Sequence, residues 1–262
     1  MSNAIVASVT RAGTYEPFNL QVSRNQISGH TPIQIFGYGS SVTNSYIPAW
    51  EANTAYTYLS TAQQMTVVST SASDNTSASI VINGLDSNFN PISETLFLNG
   101  TTAVTSVNSY LRINGINLAS VGTGQTTNVG IITCKYSSTT YAEILAGAGK
   151  SQMSIYSVPN GYTFYFVDIN IQAGNVYTSS YYLNYRAQVT NNSVSPSITS
   201  TVLTTPFVET FIAIKQFPFG FASKSDIQWQ FETSNSALTV PVGVIVEGVL
   251  IPNNNSVTGV GT

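Results

Sequence analysis

The chain has 262 residues, 42% of them hydrophobic and 11% aromatic, which is enough length and apolar content to bury a core and excludes a disordered chain. Only 7% are charged, against about 25% in an average soluble domain, and the eight Lys and Arg are scattered, so a run of phosphates cannot be neutralised and nucleic acid is not an expected partner. Solvation falls to hydroxyls and amides, and such a surface packs against a neighbour without stripping water from ions, which points to assembly.

In chain order, residues 1–30 mix polar and apolar types without a sustained period, and Pro17, Gly29 and Pro32 interrupt them. They are expected to form an extended N-terminal arm, with Ile5, Val6, Val9, Tyr15, Phe18 and Leu20 as the residues that dock on a partner. The first residues lack a basic segment followed by an uninterrupted apolar stretch, and no later segment reaches the ~18 apolar residues of a membrane span. The expectation is a soluble protein with no membrane partner.

From Ile33 onward, short strand-like runs recur between turn signals, among them Met65–Val68, Ser79–Ile82, Glu94–Leu98, Tyr110–Ile113 and Asn128–Thr133. Gly84–Asp86, Asn90-Pro91, Asn99-Gly100 and Gly122–Gly124 separate them, and Asn-Gly is a strong hairpin signal because both residues accept positive φ. This half reads as an antiparallel meander. Further on, Tyr181, Leu183, Tyr185, Ala187 and Val189 alternate with polar residues, as do Ile227, Trp229 and Phe231, so each of these strands should have one buried and one wet or interfacial face. Thr163–Ile171 and Val242–Ile251 are apolar on both faces, as central strands are. The predicted fold is all-β, an antiparallel sandwich or jelly-roll-like arrangement: an arm (1–30), a first sandwich domain (31–147), a second (148–252) divided from it at the small-residue run Ala146–Gly149, and a tail (253–262).

Residues for chemistry are sparse. His30 stands in the arm beside Pro32, and Cys134 sits in an apolar strand, so neither a triad nor a thiolate metal cluster is expected. Asp86-Ser-Asn-Phe-Asn90 resembles the start of a calcium loop, but Pro91 and Phe97 stand where that loop takes Gly and Glu, and a turn is the expected reading. No catalytic, cofactor or metal site is predicted. Trp50, Tyr162 and Tyr177 lie outside the alternating stripes and are the candidate contact aromatics, able to stack on a sugar or a partner.

Gly84–Val104 (GLDSNFNPISETLFLNGTTAV) and Asn108–Asn114 (NSYLRIN) resemble virion proteins of tailed bacteriophages infecting marine bacteria and cyanobacteria, and the resemblance continues through Ala146–Gly149, Val158–Gly161 and Lys224–Trp229. It carries a hairpin signature and no catalytic residue. What it implies is a virion structural protein made in the host cytoplasm, with other virion proteins, such as the major capsid or tail proteins, and further copies of itself as partners. A head decoration (cement) protein is the leading expectation; a tail-associated component or a host-glycan adhesin is the alternative.

Overall fold

The alternation read in the sequence becomes sixteen strands and one short helix in the computed structural model, which describes residues 16–174 and 181–253. In chain order these are α1 (Phe18–Ser23), β1 (Thr31–Val42), β2 (Ile47–Pro48), β3 (Gln63–Ser69), β4 (Ser79–Leu85), β5 (Pro91–Phe97), β6 (Val104–Tyr110), β7 (Arg112–Ser120) and β8 (Ile132–Tyr136). There follow β9 (Thr139–Ile144), β10 (Ile155–Ser157), β11 (Tyr162–Ala173), β12 (Leu183–Asn191), β13 (Ile198–Phe207), β14 (Thr210–Phe221), β15 (Ser225–Thr233) and β16 (Val240–Pro252). Among the described residues, no helix is long and apolar enough to cross a membrane.

The strands form antiparallel sheets packed in two sandwiches. One pairs the sheet β6-β3-β8-β9 with β5-β4-β7, and between them lie Met65, Val67, Ile80, Ile82, Ile113 and Ile132. The other pairs β1-β16-β11-β14 with the sheet β10-β15-β12-β13, to which β2 adds beside β15, around Phe164, Ile169, Tyr185, Trp229, Phe231 and Val246. β11 and β16 are the central strands of their sheet, as their two apolar faces predict. In the first sandwich β4–β5 and β8–β9 are sequential hairpins, but β3 pairs with β6 and β8 while β4 pairs with β7, so the chain crosses between sheets and does not run as a simple meander. Glu94 on β5 ties the two sheets at one edge: its carboxylate oxygens accept the backbone N–H groups of Val107 and Asn108 on β6, each at 2.8 Å.

The sheets do not divide at residue 147. β1 pairs with β16 along most of its length and β2 with β15, so residues 31–48 belong to the second sandwich, while Trp50 through Ile155 supply the apolar centre of the first. The chain enters the second sandwich, leaves it, and returns at β10. β1 covers the edge of β16, which would otherwise stand open, a pairing that no local signal announces.

Two turn and arm expectations also change. Gly84 lies within β4, where an added Cβ would meet the Arg112 carbonyl oxygen at 2.2 Å; the glycine permits close strand approach and is not a turn. Asn99-Gly100 is the expected turn, with Gly100 at φ +60°. The described part of the arm is not extended. Pro17, at φ −57°, leads directly into α1, Gln21 Nε2 donates to the Glu16 carbonyl at 2.7 Å, Arg24 pairs with Glu16, and Val22 is buried. The helix lies against β1.

Candidate interaction surfaces

The residues singled out in the sequence scatter. Ile5, Val6, Val9, Tyr15 and Tyr177 lie outside the described residues. Phe18 and Leu20 are exposed on α1, and Phe18 meets the His30 ring edge-on at 5.9 Å. Trp50, expected as a contact aromatic, is instead 1% exposed: its Nε1 donates to the Thr54 carbonyl at 2.7 Å and its ring packs edge-on against Tyr56. Tyr162 opens β11 half-buried against the second core. Asp86 accepts the backbone N–H groups of Asn88 (2.8 Å) and Asn90 (2.9 Å), a side-chain-closed turn with Phe89 at φ 64°. Desolvation pushes the Asp86 carboxyl up, but these hydrogen bonds outweigh it and hold it below the usual range. Among the described residues, no group of three or more His, Cys, Asp or Glu side chains could hold a metal ion.

The polar faces of the alternating strands also differ from expectation. On β15, Asp226, Gln228 and Gln230 are as buried as Ile227, Trp229 and Phe231. The cover comes from the loop before β3 and from β7: Gln228 Nε2 reaches the Tyr56 carbonyl at 3.4 Å, and Arg112 reaches Asp226. Gln230 spans to Gln228 (2.8 Å) and to Arg186 (2.7 Å), so the amide row is satisfied within itself. Arg186 in turn stacks on the Tyr46 ring, 3.9 Å from its centre.

Among the described residues, one surface left open is the flank of the second sandwich formed by β13 and β14, the outer strands of its two sheets. Among the described residues each is paired on one edge only. Between the sheets here lies a hollow of about 330 Å³ floored by Phe166, Tyr185 and Trp229 and rimmed by Val202 and Phe219. Val202 is the extra residue of a bulge, since Ala187 pairs with Leu203 but Gln188 with Thr201. Elsewhere on these two strands and the turn between them, Ile198 is 61% exposed, Val208 59%, Ile212 57% and Ile214 72%. From Ile198 to Ile214 the only charged residue is Glu209. The sequence signal for this flank was the uncharged run ITSTVLTTPF; its first five residues are all exposed, and only from Leu203 to Phe207 does every second residue turn toward the core.

A separate feature is Glu51, beside Trp50 and 6% exposed. One carboxylate oxygen accepts the Gln152 N–H and the other has no partner. Burial, with a smaller contribution from Glu143, pushes its pKa up to about 8.

No protein-family profile, curated protein or solved structure matches the chain.

Proposed function

We propose that this chain is a structural protein of a tailed-phage virion that acts by assembly and not by catalysis, most simply as a head decoration (cement) protein laid on the major capsid lattice. The observation that carries the reading is the pair of outer strands β13 and β14 with their exposed apolar residues Ile198, Val208, Ile212 and Ile214: a strand edge left open among the described residues invites a partner. The 7% charge content agrees with it, since contacts made over hydroxyls and amides cost little ion desolvation. Weak contacts of this type gain strength when many copies make them together. The resemblance of Gly84–Val104 and Asn108–Asn114 to virion proteins supports the same setting.

Gel densitometry of purified virions tests the reading. A copy number in the hundreds is expected of a decoration protein; about a dozen would assign the chain to the tail. A second reading, a host-glycan adhesin, is favoured by one specific feature, an amide-lined cleft between the two sandwiches.

A further inference from the structure

We infer that the cleft between the edge strand β1 and the sheet β5-β4-β7 is a binding site for a neutral oligosaccharide. The inference gives the adhesin reading a site, and it is independent of the decoration reading. Two hollows of about 370 and 390 Å³ share Asn83, Asn114 and Tyr156 and so form one cleft, of the size that holds small ligands.

Its walls carry the chemistry of hydroxyl recognition. Asn83 Nδ2 donates to Asn117 Oδ1 at 3.0 Å. That bond orients both amides and leaves an acceptor, Asn83 Oδ1, beside a donor, Asn117 Nδ2, whose one protein contact is a long 3.5 Å approach to the Leu118 carbonyl. A sugar hydroxyl both donates and accepts, and an adjacent acceptor and donor match it. Gln34 is fixed in the same manner: its Nε2 donates to Glu247 at 2.8 Å, which leaves Oε1 free. Asn114 supplies rigidity, locked by reciprocal bonds of 3.0 and 2.9 Å to the Ser157 backbone. The exposed ring of Phe36 offers an apolar platform for a sugar face, with Lys150 Nζ 5.1 Å from its centre.

No carboxylate lines either hollow among the described residues, and Lys150 is the one charge. That set suits a neutral polyol better than a cation or an anion. An extended peptide added along β1 is less well served: Pro32 has no N–H, and the Tyr38 N–H is already bonded to the Gln152 carbonyl at 3.3 Å, so only a short free edge remains.

The test is titration calorimetry, with saturation-transfer NMR, of the full chain against a panel of neutral di- to tetrasaccharides built from hexoses, N-acetylhexosamines and deoxyhexoses, beside an uncharged strand-forming peptide. Saturable binding of at least one sugar is expected. Asn83→Ala, Asn117→Ala and the surface change Phe36→Ala should each weaken it about ten-fold or more, the loss of one good hydrogen-bonding or stacking contact, with melting unchanged for Phe36→Ala. The proposal is overturned if no sugar binds at about 10 mM, the weak limit of useful affinity. Sugar binding that survives Phe36→Ala and Asn83→Ala together overturns it as well, and so does binding of the peptide in place of every sugar. None of these outcomes alters the virion copy number, so the two readings fail separately.

Discussion

Arg112 of the first sandwich and Asp226 of the second form a buried two-pronged ion pair, with Nε and Nη2 each 2.8 Å from a different carboxylate oxygen. Most of the remaining bonding capacity is also used. Arg112 Nη1 donates to the carbonyls of Leu59 and Leu111, and Asp226 accepts from Ser157 and Asn192. The guanidinium lies between the Tyr58 and Phe89 rings, 4.7 and 5.1 Å from their centres. A buried pair adds little net stability over an apolar replacement, but removing one partner strands a charge and costs about 3–5 kcal/mol.

Asp226→Leu and Arg112→Met are therefore each expected to destabilise by about that amount, and the double change Arg112→Met with Asp226→Leu should recover much of the loss. Urea denaturation followed by tryptophan fluorescence checks this. Because the pair spans the two sandwiches, the single variants should also separate one unfolding transition into two. Additive effects in the double variant would show that the two side chains are not coupled.

Glu51 makes stability depend on pH. Its folded pKa of about 8 stands above the ordinary 4.5, so between these values the folded state holds a proton that the unfolded state has lost. Stability is fully present below 4.5, falls as pH rises at up to about 1.4 kcal/mol per unit, and stops falling above about 8. Glu143, half-buried and shifted the same way, adds a smaller slope of the same sign. Glu51→Gln should flatten the profile and raise the melting temperature at pH 9 relative to the parent chain. An unchanged slope would mean that the carboxyl is solvated.

Trp50→Ala is expected to cost about 3–5 kcal/mol, the usual price of deleting a fully buried aromatic. It also strands the Thr54 carbonyl that Nε1 now satisfies. Chemical denaturation measures it. A variant that melted like the parent would return Trp50 to the surface, where its irregular surroundings in the sequence suggested it lay.

That residue shows what could be read in advance and what could not. Where a strand borders water or a core along its whole length, as in the buried row Leu183, Tyr185, Ala187 and Val189, period-two alternation announced the face. Where cover comes from a distant part of the chain, it did not. Trp50 is enclosed by a loop whose residues show no period, and the polar face of β15 is buried by Arg112 and Tyr56, more than a hundred residues away. The β1–β16 pairing is of the same kind, joining Ile35 to Val246. The cleft amides Asn83 and Asn117 were hidden for a related reason: on isolated strands they look like ordinary solvated positions, and only the register of β4 with β7 brings them together.

Cys134 should be chemically silent in the folded chain. It is fully buried in the first sandwich, and desolvation pushes its thiol up to about 12, so neither access nor thiolate is provided at neutral pH. Iodoacetamide labelling followed by mass spectrometry should be slowed at least about 10³-fold relative to the denatured chain, in line with global unfolding. Fast labelling of the native protein would reveal a local opening of β8.

Ile212 and Ile214 supply the last test, on the flank that carries the proposed function. Both point away from the second core and are among the most exposed apolar residues of its sheets, while the alternate residues Phe211 and Ala213 turn inward against that core. Replacing both outward residues with lysine removes no buried contact, so the change in folding stability should stay within about 0.5 kcal/mol. What it should change is association. Two added ammonium groups on this edge strand guard it against strand addition, the device natural edge strands use, and any partner covering the flank would have to desolvate them. Sedimentation velocity at high concentration should show self-association falling in the Ile212→Lys, Ile214→Lys protein, and virions assembled with it should carry fewer copies. Unchanged incorporation together with an unchanged melting curve would clear the flank of any role in assembly and move the contact surface elsewhere on the molecule.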